Sequence, residues 1–343
     1  MALTIIQGKV EKEQGIYYEV DANAKPLGEG GMGKVYAGVC VNEKTGARND
    51  VAIKFLYEDL DENALRHARR EASIQLHNDN LIEMYGFSEV EEENVLGEKV
   101  KHYHIASELL NGISLADFLD GKLKGITGEE IQMATEMYAQ FQEDPESFAV
   151  RIIRNVLSGL LALHDAGYIH RDIDPTNIML TNDGRIKIID LGIAKKVNDL
   201  GSKDKAMTVS GIFIGKPEYA APELVLGDIK HQNATTDIYA VGILLYQCIV
   251  GQVPFKGPHH EVLEMQLRKN LPLRNIKNSK LRAIIAKATN KNQAKRYRSV
   301  AEFRAALDAL SQNIKPEPSF INKFIWLIAI VTGLILGVLI GLL

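Results

Sequence analysis

From residue 16 to residue 110, short apolar runs alternate with turn residues. "VAIKFL" (51–56) and "HYHIASELL" (102–110) read as strands. One stretch breaks this rhythm with helical spacing, "ENALRHARREASIQL" (62–76). From residue 148 onward long helical patterns dominate: "FAVRIIRNVLSGLLALHDAG", "TTDIYAVGILLYQCIVG" and "VAEFRAALDALSQ". A strand-rich part followed by a helical part predicts an α+β fold of two lobes, about 17–110 and about 111–310. Residues 1–16 are set apart as an N-terminal extension, and 121–147 as a polar insertion with one amphipathic helix.

The end of the chain follows another pattern. Residues 311–323, "SQNIKPEPSFINK", contain proline and no apolar period and read as a juxtamembrane linker. Residues 324–343, "FIWLIAIVTGLILGVLIGLL", carry no charge. As a helix they would span roughly 30 Å, about one hydrocarbon core. A single-pass transmembrane helix is expected, with Trp326 at the interface and Lys323 just outside it. The expected topology is a tail anchor with residues 1–323 on one side, and Lys315 and Lys323 favour the cytoplasm. Ala329, Gly333, Gly337 and Gly341 recur every four residues, a spacing that would let two such helices approach as a homodimer.

Composition narrows the classes. The 343 residues are 46% hydrophobic and 24% charged, enough for a sizeable core. A net charge of −4 gives no basic excess for nucleic acid as a partner. Cys40 and Cys248 lie far apart without a partner motif and read as reduced thiols. "MALTIIQGKVEKEQ" has no long apolar run, so no signal peptide is expected.

Two stretches carry candidate chemistry. "LGEGGMGKVY" sets Gly28, Gly30 and Gly33 between two strands, where the lack of Cβ atoms lets the backbone approach phosphates. The same pattern also makes plain hairpins, and it lacks the strand-to-helix context of a dinucleotide fold. Lys54 lies in an apolar strand, where burial is costly unless the ammonium meets an anion. Glu71 on the following helix is a plausible partner, and phosphate oxygens are another.

"GEGGMGKV", "VAIK", "HRDIDPTN", "DLG" and "APE" occur in the order and spacing of the protein-kinase signature set. Over residues from about 17 to about 310 the chain resembles bacterial, eukaryotic-like serine/threonine protein kinases. The resemblance implies the bilobal protein-kinase fold and use of ATP with Mg²⁺ or Mn²⁺. Leu27, Gly28, Glu29, Gly30, Gly31, Met32 and Gly33 would form the ATP-binding loop. Val35, Ala52 and Met179 would sandwich the adenine, and the backbone of Glu108 to Leu110 would be the hinge that binds it. Ser107 would be a small gatekeeper. Lys54, paired with Glu71, would hold the α/β-phosphates. Asp172 would take the proton of the attacking hydroxyl, while Asn177 and Asp190 would hold metal. Leu191 stands where the family usually has phenylalanine and keeps an apolar anchor. Glu223 would pair with Arg296, and Asp237 would hold the catalytic loop through backbone N–H groups. Arg171 would receive a phosphate on the activation segment, where Thr208 and Ser210 are the candidate phosphorylation sites.

Two positions depart from the family pattern. Asp174 stands where the family's lysine contacts the γ-phosphate, and Lys216 replaces the threonine that normally bonds that lysine. A swapped pair, with Asp174 holding the Lys216 ammonium near the γ-phosphate, keeps the local charge. Loss of activity is the alternative, which would make the chain a nucleotide-binding pseudokinase scaffold. A small-molecule kinase is disfavoured by "APE" and the long segment before it. The expected function is a membrane-anchored kinase that transfers the ATP γ-phosphoryl group to protein Ser/Thr hydroxyls and phosphorylates its own activation segment.

Overall fold

The computed structural model describes residues 3–93, 97–125, 130–191, 194–196 and 215–312. Met1–Arg304 make up one compact unit. Ala305–Leu343 form a second, of which only the end of a helix is described.

The first lobe is one antiparallel sheet with two helices. Its strands are β1 (Thr4–Ile6), β2 (Ile16–Val20), β3 (Gly28–Gly30), β4 (Gly33–Asn42), β5 (Arg48–Leu56), β6 (Met84–Glu93) and β7 (Lys99–Glu108). They lie in the order β1-β2-β4-β5-β7-β6, with β3 paired to β4. The helices are α1 (Lys9–Gln14) and α2 (Glu62–Ser73). Alternation along β5 decides which side chains face where. Val51 and Ile53 enter a core with Ile6, Tyr18, Val20 and Ala106. Ala52 and Lys54 take the other face, where the register sets Ser107 opposite Ala52 and Val35 opposite Lys54.

Helix α2 starts where Asp61 accepts the Ala64 N–H at 2.7 Å, which satisfies an end donor. Its buried residues Leu65, Ala68, Glu71 and Ala72 form one stripe. Ile74 leaves helical geometry (ψ 73°), so the helix is shorter than the apolar pattern predicts. Residues 4–14, read as an extension, are built into the lobe. Ile6 pairs with Tyr18 across the sheet edge and is 1% exposed. Glu11 of α1 is buried and accepts the Gly8 N–H at 2.9 Å and the Ser88 hydroxyl.

The second lobe begins with β8 (Gly112–Ser114), α3 (Leu115–Leu119), α4 (Gln132–Glu143) and α5 (Pro145–Asp165). Then come β9 (Tyr168–Ile169), β10 (Ile178–Thr181), β11 (Ile186–Ile188) and β12 (Lys195–Lys196). It ends with α6 (Pro222–Val225), α7 (Ala234–Val250), α8 (His259–Arg268), α9 (Ser279–Ala288) and α10 (Val300–Gln312). Helix α7 is buried along most of its length, and Gly251 (φ 79°) ends it in the left-handed region. A Cβ on its Gly242 would lie 2.7 Å from the Thr289 side chain, so glycine sets how closely α7 meets the end of α9.

The expected amphipathic helix of the 121–147 insertion is α4, with Ala134, Met137 and Phe141 buried. It is more firmly docked than its polar composition suggests. Phe148 of α5 stacks on Phe118 of α3 at 5.0 Å and meets Phe141 of α4 at 5.2 Å. Among the described residues no helix is long and apolar enough to cross a membrane. The first two residues of the predicted linker, Ser311 and Gln312, instead end α10. Residues 313–323, the expected transmembrane span with Ala329, Gly333, Gly337 and Gly341, and Thr208 and Ser210 lie outside the described residues.

Candidate active site

A cleft of about 420 Å³ lies between the sheet of the first lobe and β10 of the second. Leu27, Gly28, Glu29, Gly30, Gly33, Val35 and Ala52 line it from the first lobe, and Met179 lines it from β10. Gly31 and Met32 form the two-residue turn between β3 and β4. The glycines divide into two kinds. A Cβ on Gly33 would stand 2.0 Å from the Phe55 carbonyl oxygen, so packing demands glycine there. A Cβ on Gly28, Gly30 or Gly31 would meet nothing within 4 Å. These three leave a bare backbone over open space, the form that cradles phosphate.

Lys54 Nζ lies 3.4 Å from Glu71 Oε2, so the strand lysine meets the helix carboxylate across the cleft wall. Burial would pull the Lys54 pKa down, but the charges of Glu71 and Asp190 override it and hold the ammonium above its usual range. Burial pushes the Glu71 carboxyl up, and Lys54 offsets part of that. Asp190 lines the same cleft, and Leu191 beside it is 1% exposed.

Ser107, Glu108, Leu109 and Leu110 form the cleft's rear edge. The Glu108 side chain accepts from Lys187 Nζ at 2.7 Å, and the buried Lys187 also donates to the Leu81 carbonyl at 3.2 Å. This pair ties the crossing between the lobes to β11.

The catalytic-loop candidates are held from below by Asp237, in the first turn of α7. Its carboxylate accepts the N–H of His170 at 2.9 Å, the N–H of Arg171 at 2.7 Å and His164 Nε2 at 2.7 Å. Burial would raise its pKa, and the His164 hydrogen bond leads the contacts that override burial and hold it below the usual carboxylate range. Arg171 has φ 69°, rare for a side chain with a Cβ and costing about 1–3 kcal/mol. The double anchorage on Asp237 fixes that strained residue. The Arg171 guanidinium donates to Gln232 at 3.4 Å.

Asp172 follows. Burial, then the neighbouring charge of Asp174, push its carboxyl above the usual range. Asn177 Nδ2 donates to the Asp172 carbonyl at 2.9 Å and to its carboxylate at 3.1 Å. That turns Asn177 Oδ1 into the atom available to a cation. Among the described residues no group of three or more His, Cys, Asp or Glu side chains could hold a metal ion. One carboxylate (Asp190) and one amide oxygen (Asn177) instead fit a magnesium-type ion that takes its other ligands from water and phosphates.

Lys216 and Asp174 meet. Lys216 Nζ donates to Asp174 Oδ1 at 2.6 Å, and also to the Thr176 hydroxyl. Glu223 and Arg296 meet in a bidentate pair at 2.7 and 2.9 Å, and Thr236 adds a hydroxyl at 2.9 Å. Three participants were missed in the sequence: Thr176, His164 and Lys187. Thr176 carries no signal of its own in the sequence, and the others gain partners only through folding, 73 residues away for His164 and 79 for Lys187.

A family model described as a protein kinase domain matches residues 22–308, and the chain belongs to that family. The chain is similar to the probable serine/threonine-protein kinase PknB of Corynebacterium glutamicum, 32% identical over 309 residues that cover 86% of this chain and 42% of that protein. It is 29% identical over 306 residues to the serine/threonine-protein kinase pkn2 of Myxococcus xanthus, covering 83% of this chain and 32% of that one. To the serine/threonine-protein kinase PknB of Mycobacterium tuberculosis it is 28% identical over 300 residues, covering 85% and 43%. The chain thus spans less than half the length of these relatives.

Proposed function

We propose that this chain is an ATP-dependent serine/threonine protein kinase, held at a membrane by residues 324–343 with its kinase domain in the cytoplasm. The observation that carries the reading is the convergence of Lys54, Glu71, Asn177 and Asp190 on one cleft roofed by unobstructed glycines. The named relatives support serine and threonine as the acceptors.

Each residue has a task in that reaction. Val35, Ala52 and Met179 offer apolar faces to adenine, and the backbone from Glu108 to Leu110 offers it hydrogen bonds. Lys54 binds the α/β-phosphates and Glu71 keeps its ammonium in place. Asn177 and Asp190 hold Mg²⁺ or Mn²⁺, which when bound neutralises phosphate charge. Asp172 orients the substrate hydroxyl and takes its proton. The hydroxyl oxygen bonds to the γ-phosphorus as the bond from that phosphorus to the ADP oxygen breaks. Catalysis rests mainly on positioning and on electrostatic stabilisation.

Regulation completes the proposal. A phosphate on Thr208 or Ser210, added by the chain itself, would order the activation segment against Arg171. Pairing through Ala329, Gly333, Gly337 and Gly341 would bring two kinase domains together for that step.

The test is transfer of radiolabel from γ-labelled ATP to the chain and to a generic basic protein, with Asp190→Ala as the blank. Labelled phosphoserine or phosphothreonine above the blank is expected. ATP binding with no label above the blank would identify a pseudokinase instead. A chain lacking 324–343 should leave the membrane fraction; continued sedimentation with membranes would overturn the anchor.

A further inference from the structure

Lys216 opens a short helical turn, Pro217–Tyr219, and its side chain reaches back to the catalytic loop. Its anchor there is a closed triangle. The Lys216 ammonium donates to Asp174 Oδ1 and to the Thr176 hydroxyl, and that hydroxyl donates to the same Asp174 oxygen at 2.6 Å. The Thr176 N–H adds a further bond to Asp174 Oδ1 at 2.6 Å, and Asn177 Nδ2 reaches Asp174 Oδ2 at 3.5 Å. Asp174 is 1% exposed, so its charge is held inside this net.

The other end of the pair is open. The Lys216 side chain is 41% exposed. An ammonium has three N–H donors, and the triangle uses two. Lys216 also lines one recess with Arg171 and Asp172. A cation with a spare donor therefore stands beside the proposed base.

We propose that Lys216 is a catalytic residue that contacts the transferred phosphoryl group, and that Asp174 and Thr176 are the residues that position it. The inference rests on the phosphoryl-transfer reading given above. The transition state spreads negative charge over the equatorial oxygens of that group, where a pre-oriented ammonium lowers the barrier most. Asp174 and Thr176 fix the lysine before substrate arrives, so little side-chain freedom is lost on contact. A pair that served only to fasten the loop would gain nothing from a partly exposed lysine with an unused donor.

The experiment uses the full chain in lipid nanodiscs, and pairs calorimetry with initial rates. Affinities are measured for Mg·ADP and for a non-hydrolysable Mg·ATP analogue. Lys216→Ala should leave ADP affinity unchanged and shift the melting temperature by a few degrees at most, weaken the triphosphate about tenfold and lower kcat about ten- to a hundredfold. Thr176→Val should show a smaller loss of the same kind, recovered by Thr176→Ser. The exchange Asp174→Lys with Lys216→Thr should exceed the rate expected from the two single changes. Lys216→Ala with the unmutated triphosphate-to-diphosphate ratio and kcat overturns the assignment. So does a variant that loses ADP affinity and melting temperature in step with its rate. If the unmutated chain transfers no more phosphate than Asp190→Ala, the phosphoryl-transfer reading fails and takes this assignment with it. An active chain indifferent to Lys216 overturns the assignment alone.

Discussion

Two carboxylate–cation pairs in the second lobe are built differently. In Glu223–Arg296 both side chains are enclosed, 7% and 0% exposed. The guanidinium donates twice to the carboxylate and again to the carbonyls of Asn290 and Thr235. In Asp174–Lys216 only the carboxylate is enclosed, 1% against 41%. A sealed, fully bonded pair fixes the distance between two chain segments and offers nothing to a ligand. A half-open pair spends its buried member on aiming the exposed one. Exposure of the cation separates the two roles, since both pairs have good hydrogen-bond lengths.

The largest way to break this comparison is Arg296→Ala. It strands the Glu223 carboxylate in the interior and should cost about 3–5 kcal/mol in unfolding free energy, read from urea denaturation. A loss below 1 kcal/mol, on the order of a surface pair, would remove the distinction. Arg296→Lys keeps the charge but loses the fork, and should cost about 1.5–3 kcal/mol by the same measurement.

Asp237 sharpens the contrast through pH. Its folded pKa is held below the ordinary aspartate range, so folding favours its charged form. That stabilisation is fully present above the unfolded pKa and is lost as pH falls through the folded one. The stability advantage of the unmutated chain over Asp237→Asn should therefore shrink in acid below the ordinary aspartate range. Urea midpoints of the two chains that run parallel from neutral pH into that range would contradict it. The smallest stability effect belongs to Lys216→Ala. Solvent screens the partly exposed lysine, and Asp174 keeps its Thr176 bonds, so a change of about 1 kcal/mol or less is expected.

The sequence revealed what chemistry restricts most. Lys54 stood out because an ammonium in the apolar run "VAIKFL" needs an anion, and strand alternation alone puts it on the face opposite Val51 and Ile53. Asp172, Asn177, Asp190, Glu223, Asp237 and Arg296 were marked by the resemblance to protein kinases. Other features carried no local signature. Strand β1 has three residues, too few to display a period. Thr176 differs from any turn threonine only through a lysine 40 residues away. Lys187 reads as the polar member of "IKI", yet its ammonium is buried against Leu81 and Glu108.

Ile6, Tyr18 and Val20 supply half of a six-residue core in the first lobe, yet all three precede residue 22, where the protein-kinase match begins. A recombinant fragment trimmed to the matched span would keep every signature residue and lose that packing. Val51 and Ile53 would face water, and β4 would become an unprotected sheet edge open to pairing with other chains. Such a fragment is expected to express as aggregate, while one begun at Leu3 stays in solution. The start of the foldable unit is drawn by what covers Ile53, and Ile6 lies sixteen residues ahead of where the protein-kinase family match begins.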